Sequence, residues 1–185
     1  MTRGVVRREH LEHLIRASAN LSDDDDIIVV GSQAILGRYP DAPPAMLTSV
    51  DADLFPRNHP ERAIAIEGAI GEGSPFHETF GYYAHGVGPE TSKAPRGWEG
   101  RLVRISNENT RGARGWCLES HDLVLAKCVA GREKDWSFLD GALRHGLVEP
   151  DVLRSRLPLL PLDEERRATL ARNVEARIAS GDPGR

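Results

Sequence analysis

The stretch Ile27-Ile-Val-Val30 runs straight into Gly31-Ser32 and then Gln33-Ala-Ile-Leu36. No other segment constrains the fold as much. Consecutive β-branched residues read as a buried strand, and the run after Gly-Ser reads as helical. Together they form a strand–turn–helix unit. The turn leaves backbone N–H groups at the helix start, aimed at whatever sits above the strand, and phosphate is a common anion there. Gly-Ser also closes many ordinary turns, so the unit alone decides nothing about chemistry.

The next apolar run, Val50-Asp51-Ala52-Asp53-Leu54-Phe55, carries two acids. Residues two apart on a strand share a face, so Asp51 and Asp53 project side by side. Carboxylates that close repel each other unless a cation or proton sits between them. Mg²⁺ is commonly held by one or two carboxylates together with substrate phosphates. An isolated Asp-x-Asp is usually a surface accident. Here it follows a candidate anion cradle, and the pair is the minimum equipment for moving a nucleotidyl group.

A chain of 185 residues suits one domain, or one domain with a helical appendage. Strand and helix signals alternate up to Leu118, and only helices follow. The expected fold class is therefore α/β: a small mixed sheet from Ile27–Val30, Val50–Phe55 and Leu102–Ile105, with a helical C-terminal half packed against it. An α/β core over residues 1–118 and a helical part over 119–185 are the expected divisions. Further strands are expected within Phe80–Val87 and at Trp116–Leu118. Helices are expected over Arg8–Asn20, Gln33–Gly37, Glu61–Ile70, Asp135–His145, Glu149–Arg156 and Asp163–Ala179, and from an N-cap at Ser120 to a break at Gly131. Gly71–Pro75 reads as a loop, and 181–185 as a frayed tail.

No apolar run reaches the roughly 18 residues needed to cross a membrane. The basic start, Met1 to Arg8, lacks a following apolar segment and does not read as a signal peptide, which favours the cytoplasm. Cys117 and Cys128 have no metal-binding spacing and read as buried free thiols. The net charge of −4 argues against nucleic acid bound by the whole surface. Lys93, Arg96, Arg101, Arg104, Arg111 and Arg114 form a basic interval that is either a local basic face or a solvated loop.

A second constellation stands at Asp122-Leu-Val-Leu-Ala-Lys127-Cys-Val-Ala130, followed by Arg132-Glu-Lys-Asp135. Lys127 lies on an apolar helix and either pairs with an anion or snorkels its amine into water. Asp135 in a first helical turn is accounted for by capping, or by a role beside Lys127.

With these residues in view, the chain resembles the nucleotidyltransferase superfamily. More narrowly it is similar to the branch of AbiEii and MenT-type toxins, through Gly31-Ser-Gln-Ala-Ile-Leu-Gly-Arg38, Ser49-Val-Asp51-Ala-Asp53, Asp122 to Ala130, and Arg132 to Asp135, over about residues 27–145. The resemblance implies in-line nucleotidyl transfer. Asp51 and Asp53 would be the metal ligands for Mg²⁺. Gly31, Ser32, Arg38 and Lys127 would bind the nucleoside triphosphate. Asp51, Asp53, Lys127 and Asp135 would be the catalytic set, with Asp135 orienting Lys127 or activating the acceptor hydroxyl. In MenT-like relatives the acceptor is the 3′ end of tRNA, and some have a cognate antitoxin that blocks the enzyme. Transfer to a protein or small molecule, and a non-catalytic nucleotide-binding module, are the alternatives. Lys127 and Asp135 are expected to meet the aspartate pair across one cleft. No third carboxylate stands on a later strand, so the metal site has two carboxylates or is completed by Asp135.

Overall fold

The computed structural model describes residues 5–181. The basic start before Val5 and the tail after Gly181 lie outside the described residues. The chain divides into two compact units: residues up to Thr91 together with Leu102–Glu119, and Ser92–Arg101 together with 120–185.

The first unit is built on a five-stranded mixed sheet in the order β3-β2-β1-β5-β4. The strands are β1 (Asp26–Val30), β2 (Asp51–Pro56), β3 (Tyr83–Gly86), β4 (Val103–Ile105) and β5 (Arg114–Cys117). β1 is central, antiparallel to β2 and parallel to β5. β3 lies parallel to β2, and β4 antiparallel to β5. The β-branched run Ile27–Val30 is buried throughout, as a central strand with both faces covered requires.

Helix α1 (Arg8–Ser22) buries Leu11, Leu14, Ile15 and Ala19. It approaches the sheet so closely that a Cβ at Gly115 would stand 2.4 Å from the Ile15 Cδ1 atom. Glycine is the residue that lets this layer close. Helix α2 (Ala63–Ile70) adds Ala63, Ile66 and Ile70 to the core. Among the four consecutive acids 23–26, Asp24 is buried and serves as scaffolding. Asp24 accepts hydrogen bonds from the backbone N–H groups of Asp26, Asn58 and His59, which fixes the crossing from β2 into the next loop.

Two local expectations change. The run after Gly31 is a 3₁₀ helix, Ser32–Gly37, whose end is held by Arg8 donating to the Leu36 carbonyl at 2.7 Å. Between the loop expected to end at Pro75 and the strand expected from Phe80 stands a helix, α3 (Pro75–Phe80). Its signals are local: Ser74 caps the His77 N–H, Pro75 opens the first turn, and Gly81 ends it at φ +76°.

The second unit comprises α4 (Ser120–Ala130), α5 (Glu133–Arg144), α6 (Pro150–Arg156) and α7 (Glu164–Ser180). Helix α4 begins at Ser120 itself, so Ser120 is its first helical residue and not its cap. Positions 120 to 128 of α4 are all buried, which explains its weak amphipathicity. Its fully buried Asp122 is clamped by Arg101 at 2.8 Å and Arg156 at 3.0 Å. Arg101 also donates to the carbonyls of Pro95 and Arg96, which ties the preceding loop to α4. Both cysteines are free and buried, and burial pushes each thiol up to about 12. Among the described residues, no helix is long and apolar enough to cross a membrane.

Candidate active site

Strand β2 places Asp51 and Asp53 side by side, with Ala52 and Leu54 turned into the core. The register with β3 sets Asp51 opposite Tyr83 and Asp53 opposite His85. One ligand atom each of Asp51, Asp53 and His85 lie within 4.8 Å of one another. The His85 Nδ1 atom stands 3.2 Å from the Asp53 Oδ1 atom. The His85 side chain is 52% exposed and that of Asp53 29%, so the group is open to solvent. β3 is an edge strand, so no further strand pairs beyond it on that side.

Gly31 completes this corner. Its φ of +70° is a conformation that side chains rarely adopt, and a Cβ there would stand 2.2 Å from the Asp53 Oδ2 atom. The backbone of the Gly-Ser turn therefore lies directly against the second carboxylate. Ser32 opens the 3₁₀ segment beside it, and Arg38 stands at the segment's other end. A 3₁₀ rise of about 2 Å per residue separates their backbones by roughly 12 Å. Gln33 is buried and donates to the Ser49 carbonyl at 3.2 Å, which pins the segment to the chain entering β2.

The electrostatics of this corner are negative. Burial raises the Tyr83 phenol above its ordinary range, and Asp51, Glu72, Glu67 and Asp53 push it further. Glu67 is occupied by the Gly86 N–H at 2.8 Å. Among the described residues, no lysine or arginine is paired with Asp51. Two carboxylates and an imidazole that converge in a negative field fit a divalent cation. No signal within residues 80–87 alone marks His85, because its role depends on which strand lies next to β2.

Lys127 and Asp135 meet within the second unit. The Lys127 Nζ atom stands 3.1 Å from Asp135 Oδ1 and 4.9 Å from the centre of the Phe138 ring. The Lys127 side chain is only 10% exposed, so its amine is not snorkelled into water. Arg132 donates to Asp135 from both its backbone and its guanidinium, the latter at 2.8 Å. Burial alone would raise the Asp135 carboxyl, but hydrogen bonds from Arg132 and Lys127 outweigh it and leave it below the usual range. Asp135 thus caps α5 and anchors Lys127 at once.

Part of the basic interval is engaged inside its own unit. Arg101 is spent on Asp122 in the second unit, while Arg114 is spent on Asp26 and Arg104 lies over the Trp116 ring in the first.

A mixed α/β sheet with an Asp-x-Asp strand beside a strand–Gly-Ser turn defines a protein of the nucleotidyltransferase class. The comparison of families gives the narrower statement: residues 9–172 match the family described as nucleotidyltransferase of unknown function (DUF6036), and the chain belongs to it. Neither the curated proteins nor the solved structures yielded a match.

Proposed function

We propose that this protein is a cation-dependent nucleotidyltransferase that moves a nucleotidyl group from a nucleoside triphosphate to the 3′ end of tRNA, as the toxin of a toxin–antitoxin pair acting in the cytoplasm. The observation that carries the enzymatic part is the convergence of Asp51, Asp53 and His85 beside the Gly31-Ser32 turn. The tRNA acceptor and the antitoxin rest on the resemblance of the four motifs to MenT-type proteins. Asp51 and Asp53 would hold Mg²⁺, which would neutralise charge on the triphosphate and on the leaving pyrophosphate. The Gly31-Ser32 turn offers backbone and hydroxyl donors to the phosphates. Arg38 would supply positive charge to them, and within the second unit Asp135 holds the Lys127 amine at one place.

The test is incubation of the purified protein with labelled nucleoside triphosphates, total tRNA and Mg²⁺, beside the Asp51→Ala variant. Label on tRNA that is absent with the variant supports the proposal. Label on protein or a small molecule moves the acceptor. Nucleotide binding without turnover makes the protein a binding module. Lys127→Arg would not restore the rate lost in Lys127→Ala, because a fork replaces a point charge beside Asp135.

A further inference from the structure

Among the described residues, the group that converges on the Asp-x-Asp pair is completed by an imidazole and not by a third carboxylate. Asp53 and His85 are register partners on adjacent parallel strands, so they share a face of the sheet by backbone geometry alone. Their contact of 3.2 Å is therefore built into the sheet and does not depend on a flexible loop. One atom from each of the three side chains lies within 4.8 Å of the other two, a spacing that one ion can bridge. Gly31 fixes the other side of Asp53, since any Cβ there would displace the carboxylate.

The donor set decides which ion is preferred. Mg²⁺ takes oxygen ligands, keeps several of its waters and accepts nitrogen poorly. Imidazole favours first-row transition ions, which also accept carboxylates. We propose that His85 is the third protein ligand of the cation held by Asp51 and Asp53, and that this mixed set selects a first-row transition ion such as Mn²⁺ over Mg²⁺. The proposal rests on the reading of Asp51 and Asp53 as a cation site. The competing account leaves His85 as a half-exposed partner that only orients Asp53, an interaction of small value at such exposure.

The experiment uses the full chain and Mn²⁺ as the probe. Mn²⁺ binding is titrated by electron paramagnetic resonance, with and without competing Mg²⁺, and directly bonded nitrogen is read from electron spin-echo modulation. The proteins compared are the wild type, His85→Ala, His85→Asp and Asp51→Asn, each checked by thermal melting. His85 is half exposed on an edge strand, so its variants should melt with the wild type. The expected result is one site with nitrogen modulation in the wild type. His85→Ala should lose the modulation and bind Mn²⁺ at least about tenfold more weakly, a loss that even supporting groups of metal sites produce. His85→Asp should bind Mn²⁺ without modulation and lower the preference for Mn²⁺ over Mg²⁺ by about tenfold. Wild-type binding that Asp51→Asn removes, but that shows no nitrogen and is unchanged in His85→Ala, overturns the role of His85 and leaves the carboxylate site standing. No Mn²⁺ binding by the wild type, or binding unchanged in Asp51→Asn, overturns the carboxylate reading and this proposal with it.

Discussion

Two pairs of carboxylates, one pair in each unit, are handled in opposite ways. In the helical unit, Asp122 and Asp135 are both fully buried, and each has two cationic partners from the chain itself. A buried charge is tolerable only when paired and hydrogen-bonded, and these are. In the sheet unit, Asp51 and Asp53 stand side by side and partly exposed, with the His85 imidazole 3.2 Å from Asp53. Neutralised carboxylates hold elements in place. A pair left in mutual repulsion stores a preference for an ion from outside.

The sharpest way to break this contrast is to remove an internal partner. Asp135→Ala leaves Lys127 buried without its anion, and should cost about 3–5 kcal/mol of stability. A urea midpoint within error of the wild type would show that the pair is not structural. The same deletion in the other unit should act on chemistry and spare the fold. Asp51→Ala should slow transfer by at least about a hundredfold, the loss typical of one electrostatic group in a reacting site. Its melting temperature should hold or rise, because carboxylate repulsion is relieved. A large drop in melting temperature would place Asp51 with Asp122 and Asp135 instead.

Gly31→Ala probes the boundary between the two behaviours. The backbone at Gly31, with φ +70° and ψ −174°, is one that almost only glycine adopts, so the change should cost about 1–3 kcal/mol, and the clash with Asp53 should weaken Mn²⁺ or Mg²⁺ binding as well. Unchanged metal affinity in a folded Gly31→Ala protein would detach the turn from the site.

The smallest effect is a pH dependence within the sheet unit. Asp26 accepts from Arg114 at 2.7 Å and from the Trp116 indole at 2.7 Å. The Arg114 guanidinium, against the opposing effect of burial, holds its carboxyl down at about 2, below its ordinary value of 3.8. A depressed carboxylate stabilises the fold above its unfolded value, and that contribution is lost as pH falls from about 4 toward about 2. Solvent screens a partly exposed pair, so the loss should be on the order of 1 kcal/mol. Urea midpoints measured across that range should fall more steeply for the wild type than for Asp26→Asn.

Much of the fold was legible because its signals are local. The β-branched run Ile27–Val30 could be little else than a buried strand, and alternation alone put Asp51 and Asp53 on one face. The breaks at Gly131 and Gly146 follow from φ values of +69° and +65°, which glycine adopts without strain. Helix α3 was legible too, in Ser74, Pro75 and Gly81, although the expected loop passed over it.

The sequence by itself thus determined the strands, most helix limits and the carboxylate pair, since each depends on neighbours within a few residues. Tertiary structure alone decided that His85 stands beside Asp53, that Asp135 rather than water meets the Lys127 amine, and that Arg101 and Arg114 pair with Asp122 and Asp26. These pairings join residues 8 to 88 positions apart. Strand order and helix packing choose such partners through the burial of the whole core, and no local period in the chain encodes that choice.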